Sequence, residues 1–92
     1  MRVKILNRRW DLEITRLRGK QMGWCDPPEK PGKKILIDSG RRPFRLLEAL
    51  IHEVAHAADW SKDESWVEEF AEDLARILWR VGWRLPEPHD RS

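Results

Sequence analysis

The residues with the clearest chemical potential are His52-Glu53-Val54-Ala55-His56, an H-E-x-x-H pattern. On a helix, positions i and i+4 lie one turn apart on the same face, so two imidazoles at this spacing converge on one ion. Neutral imidazole suits Zn2+, and a catalytic zinc site needs three protein ligands with one position left for water. Glu53 projects about a quarter-turn from His52, within reach of that water. A carboxylate there can take a proton as water attacks a carbonyl, then pass it to the leaving amine. Catalysis is therefore assigned to Glu53, and metal binding to His52 and His56.

The elements that carry these residues follow from periodicity. Phe44, Leu47, Leu50, Ile51, Val54, Ala55 and Ala58 line one face at the helical period, which predicts a helix over 43–59 with Pro43 in its first turn. Ser61 with Glu64 has the capping-box form. Val67, Phe70, Ala71, Leu74, Ile77, Leu78 and Val81 then predict a second helix over 62–82, closed by Gly82. The connection is short enough for an αα-hairpin turning near Trp60-Ser61. That register sets Val54 opposite Val67, so Glu68 and Glu64 are the nearest carboxylates. With Glu64 used in the cap, Glu68 is the expected third ligand and Glu64 the reserve. Ala71 and Ala75 leave the helices room to approach. Asp59, on the histidine face, is read as an ordinary helix-end residue, with orientation of an imidazole as the alternative.

The N-terminal part reads as strands, about three of them in a small sheet. Val3-x-Ile5 and Trp10-x-Leu12-x-Ile14 alternate at period two, separated by the polar Asn7-Arg8-Arg9, which reads as a hairpin or two strands joined by a short turn. Met22 to Cys25 can add a short strand before Asp26-Pro27-Pro28, and Lys33 to Asp38 is the clearest strand. The fold class is therefore α+β: strands over 1–38, an H-E-x-x-H helix, a glutamate helix and a tail over 85–92.

This order of strands, KILID, IHEVAHAADW and ESWVEEFAEDLARILWRVGW resembles the zincin metallopeptidases. In particular it is similar to the small gluzincin-like proteins of phages and prokaryotes, the minigluzincins, over roughly residues 20–84. The resemblance implies a zinc endopeptidase of minimal zincin-like fold, with His52, His56 and a glutamate of the second helix as ligands. It implies that Glu53 is the general base and acid, and that the strand Lys33–Asp38 borders the cleft and pairs with an extended peptide. The chain has no Tyr and no His between His56 and His89. An Arg, a backbone N–H or the tail would then have to stabilise the oxyanion.

Composition bounds the rest. Ninety-two residues with 40% hydrophobic and 37% charged content make one small domain. No apolar run is long enough for a membrane span or a signal peptide, and a single cysteine excludes an internal disulfide framework. Together these favour a cytoplasmic protein of a prokaryote or phage-infected host. Cys25 is read as a buried hydrophobe beside a turn, its approach to the metal being the alternative.

Charge is uneven. Residues 1–50 hold 13 Lys/Arg against 6 Asp/Glu (+7), and residues 51–92 hold 5 against 10 (−5). Mutual attraction of the halves is the preferred reading. Nucleic-acid binding through Arg2, Lys4, Arg8, Arg9, Arg16, Arg18 and Lys20 is the competing one, although only Trp10 and Trp24 stand on the basic strands for base stacking. A zinc-stabilised adaptor without catalysis is a third function in view. The expected partner is a peptide or protein substrate. The ten residues after Gly82 can extend roughly 30 Å, so His89 or Asp90 could occupy the open zinc position, a mobile terminus being the preferred alternative.

Overall fold

The computed structural model describes residues 1–84; the tail, with His89 and Asp90, lies outside them. The N-terminal alternation folds into β1 (Arg2–Ile5), β2 (Arg8–Thr15), β3 (Gly23–Cys25) and β4 (Lys34–Asp38), one strand more than expected. The first stretch forms a hairpin, and the short strand Gly23–Cys25, which the sequence only allowed for, completes the four. Leu6 and Asn7, both at positive φ (47° and 72°), form a two-residue turn, and Arg8 and Arg9 already belong to β2. Paired positive φ values match the right-handed twist of an antiparallel hairpin. Asn tolerates this conformation, whereas Leu6 holds it at a steric cost.

The sheet order is β1-β2-β4-β3. β1 runs antiparallel to β2, β2 parallel to β4, and β3 antiparallel to β4. β4 is thus bonded along both edges, and its continuous Ile35-Leu36-Ile37 run is the composition such a position calls for. Ile35 and Ile37 are fully buried, each contributing about 1.5–3 kcal/mol through burial.

Asp38, at the end of β4, fixes the turn that leads into the first helix. Its carboxylate accepts from the N–H groups of Leu17 and Gly40, both at 3.1 Å, and pairs with Arg41 Nε at 2.9 Å. The Leu17 and Gly40 bonds, with Arg41, hold its pKa below the ordinary carboxylate value.

Two helices follow, α1 (Pro43–Ala58) and α2 (Glu64–Arg80). Pro43 occupies the first turn of α1. Gly82, at φ +102°, closes α2 as expected: its N–H bonds Trp79 O at 3.1 Å, and Trp83 N–H bonds Leu78 O at 3.0 Å. Both orphan carbonyls are thereby satisfied. α1 lies on the sheet, and α2 packs on α1 with no close backbone approach to a strand among the described residues.

The main core is Trp10, Cys25, Ile35 and Ile37 from the sheet with Ala49 and Ala57 from α1. Val67, Ala71 and Ala75 of α2 are fully buried, and alanine at two of these positions permits close helix approach. The chain is α+β, as its periodicity indicates. No helix among the described residues is long and apolar enough to cross a membrane.

Candidate metal centre

The turn between the helices determines which carboxylate meets the histidines. Asp59 closes α1 and accepts from both the N–H and the hydroxyl of Ser61, at 3.0 and 2.6 Å. Ser61 therefore folds back on Asp59 and does not cap α2. The cap is Asp63, whose Oδ1 accepts from Trp66 N–H at 2.9 Å and from Ser65 Oγ at 3.3 Å. This releases Glu64, the first residue of α2, from the expected capping box. Asp59 is an ordinary helix-end residue, as read from the sequence.

Glu64 turns to the histidines. Its Oε2 lies 2.8 Å from His52 Nε2 and its Oε1 3.0 Å from His56 Nε2. The imidazole centroids are 4.9 Å apart, and one donor atom from each of the three residues falls within 4.8 Å of the others. A tetrahedral ion with bonds of about 2.0–2.1 Å sets neighbouring ligand atoms roughly 3.3 Å apart. Contacts of 2.8 and 3.0 Å need only a slight spread to admit it. Two imidazoles and a carboxylate, one turn apart on α1 and at the tip of α2, can hold a metal ion.

Glu68 does not join them. It stands one turn further along α2, on a separate cleft with Met22, Arg45, Glu48 and Glu72. The expected register set Val54 opposite Val67; the contacts observed instead bring Glu64, in the first turn of α2, to both His52 and His56.

The three residues open on a cleft of about 510 Å³, lined also by Glu53, β3, Trp60 and Lys62. Glu53 is the half-buried wall of this cleft. Burial, chiefly, raises its carboxyl pKa from 4.5 to about 7; Glu64 adds to this and His52 opposes it. Such a group can accept or release a proton near neutrality. Its position depends on a glycine. A Cβ on Gly23 would sit 2.8 Å from Glu53 Cγ, 2.9 Å from its Oε2 and 3.1 Å from Leu36 O. β3 can run against Glu53 only because residue 23 has no side chain.

Cys25 points inward from the same strand and belongs to the core, as its sequence neighbourhood suggests. Burial, then the negative charges of Glu53 and Asp26, push its thiol up to about 12. Asp26 anchors the strand end. It accepts from Trp24 Nε1 at 2.8 Å and from Lys34 N–H at 2.9 Å, with Lys30 Nζ at 3.5 Å. Burial alone would raise its pKa, but the bonds from Trp24 and Lys34, with Lys30, hold it below the ordinary value.

Two expectations change at the sheet. β4 cannot receive a peptide, because β2 and β3 occupy both its edges. The strand on the cleft is β3, whose outer edge has no neighbour in the sheet. Of the two strand tryptophans considered for base stacking, Trp10 is buried and Trp24 is exposed at the cleft. Sequence reasoning also missed Gly23 and Lys62 as cleft residues. A glycine inside a short strand was the available signal for the first; nothing marked the second among so many charges. No family model, curated protein or solved structure matches this chain, so the functional reading rests on the centre's own geometry.

Proposed function

We propose that the chain is a zinc-dependent peptidase in which His52, His56 and Glu64 hold the metal and Glu53 moves the proton. The observation that supports it most is the convergence of the His52, His56 and Glu64 donor atoms within 4.8 Å. In the same cleft stands a half-buried carboxylate, Glu53, that is not one of the three converging donors. A purely structural site has no use for that fourth group. Zinc, when bound, supplies a Lewis acid that brings the pKa of water toward neutrality and polarises a carbonyl.

The chain's own residues do the rest. The Glu53 carboxylate would accept the proton of the attacking water and return it to the departing amine. Trp24 and Trp60, both exposed, line the cleft and offer apolar contact to a substrate. Lys62 lines the cleft with its ammonium over the Trp66 ring at 4.9 Å; swung off that ring, it would offset the charge that develops on the carbonyl oxygen, the task for which the sequence supplies no Tyr. An extended peptide laid along the outer edge of β3 would present its backbone beside Glu53.

The test is hydrolysis of a broad peptide library by zinc-loaded protein, with Glu53→Gln as the paired control. The proposal expects cleavage by the wild type, sensitive to chelator, and none by Glu53→Gln at equal zinc content. Equal behaviour of the two proteins across the library would leave only a metal-stabilised adaptor.

A further inference from the structure

α2 carries more apolar surface than α1 can cover. Val67, Phe70, Leu74, Ile77 and Val81 recur at alternating steps of three and four, the spacing of a helix–helix seam. Val67 is buried, but Ile77 is 58% and Val81 75% exposed, and Trp66, Phe70 and Trp83 are also exposed. Between the helices this surface continues into a groove of about 440 Å³ with only apolar lining, including Ile51, Val54 and Leu74. The backbone of α2 approaches no strand, and these exposures leave the face uncovered among the described residues.

The charges beside the seam indicate what does. Along the flank turned from α1 run Glu69, Asp73, Arg76 and Arg80, again at steps of three and four, and all are exposed. The acidic pair lies in the first half and the basic pair in the second. Laid antiparallel on itself, this flank brings Glu69 and Asp73 of one copy to Arg80 and Arg76 of the other. Area agrees with this. Large side chains present roughly 150–250 Å² when free, so the exposed fractions of Trp66, Phe70, Ile77, Val81 and Trp83 leave about 400–500 Å² per copy. Counted on both copies, that is about 800–1,000 Å² before the flanking charged side chains are added, at the lower limit for a specific interface. Residues 85–92 offer one large apolar side chain, Leu85, too little to cover such a face. A lipid surface would favour a basic flank throughout, and half of this one is acidic.

We propose that this face is the interface of an isologous homodimer, with α2 crossing α2 of a second copy antiparallel near Leu74 and Ile77. The metal centre is not needed for the association.

The experiment is sedimentation equilibrium of the 92-residue chain over a concentration series. It is repeated for Glu69→Arg/Asp73→Arg, for Arg76→Glu/Arg80→Glu, and for their equimolar mixture. The wild type is expected to dimerise. Each double variant opposes like charges and should dimerise about tenfold or more weakly. The mixture should recover the wild-type association as a heterodimer, since every facing pair is then of opposite sign. Circular dichroism of each surface variant confirms an intact fold. Ile77→Asp, read in the same way, should be monomeric. A wild type that stays monomeric at the highest concentration overturns the proposal. So do double variants that associate like the wild type, or a mixture that fails to recover. Co-sedimentation of a monomeric wild type with phosphatidylserine vesicles would assign the face to lipid instead.

Discussion

Placing an alanine at Gly23 examines how the sheet positions Glu53. In an ordinary strand, Gly→Ala stabilises by about 0.4–1 kcal/mol through the unfolded chain. Here the new Cβ would meet Glu53 Cγ at 2.8 Å, Glu53 Oε2 at 2.9 Å and Leu36 O at 3.1 Å. The first two belong to a side chain that can swing. The third is backbone of β4, fixed between two neighbours. Overpacking of this kind costs about 1–3 kcal/mol, so the net expectation is a loss of about 1–2 kcal/mol. Urea unfolding of metal-free protein measures it. A cycle with Glu53→Ala then apportions the cost: if the 2.8 Å contact dominates, the alanine at 23 becomes nearly neutral once the Glu53 side chain is removed. In zinc-loaded protein, Gly23→Ala should keep the metal and lose most hydrolysis, because the histidines and Glu64 are untouched while Glu53 is displaced. The reasoning is refuted if Gly23→Ala is at least as stable as the wild type and cleaves peptides equally well.

Three other expectations concern the scaffold. Cys25, with its thiol pushed up to about 12, should resist alkylation at pH 8 in folded protein and react rapidly in urea. Because its folded pKa is raised above 9.0, its contribution to stability is complete below that pH and is lost as pH rises toward 12, which alkaline unfolding of wild type and Cys25→Ala can compare. Leu6→Gly, which relieves a positive φ of 47°, should stabilise by about 0.5–1 kcal/mol in thermal or urea unfolding. Asp26→Asn leaves one oxygen for two donors on opposite sides, costing about 1–3 kcal/mol at pH 7. Since the folded pKa of Asp26 lies below 3.8, its ionised contribution is present above that value and fades as pH falls through the folded pKa, so the two proteins should converge at low pH.

Much of this was legible in the sequence, for identifiable reasons. The helix over 43–58 was readable because its apolar face and Pro43 agree, and the end of α2 because Gly82 can take the positive φ that other residues avoid. His52 and His56 were legible because i, i+4 spacing fixes their relation within one helix. The third member was not. Glu64 against Glu68 depends on the turn between two helices, and that turn depends on whether Ser61 bonds forward to α2 or back to Asp59. Both partners are two or three residues away, so local pattern does not choose between them; the contact with Asp59 at 2.6 Å does. Strand order was likewise hidden. β3 lies beyond β4 although it precedes it in the chain, and neither alternation nor turn residues encode that crossing.

Zinc titration of metal-free protein, with wild type, Glu64→Gln and Glu68→Gln side by side, bears most directly on the central claim. One zinc per chain is expected for the wild type. Glu64→Gln should weaken it by about tenfold or more, by analogy with other losses around a zinc site, and Glu68→Gln should leave it unchanged, because Glu68 faces a different cleft. Wild-type affinity in Glu64→Gln, or no stoichiometric zinc in the wild type, would contradict it.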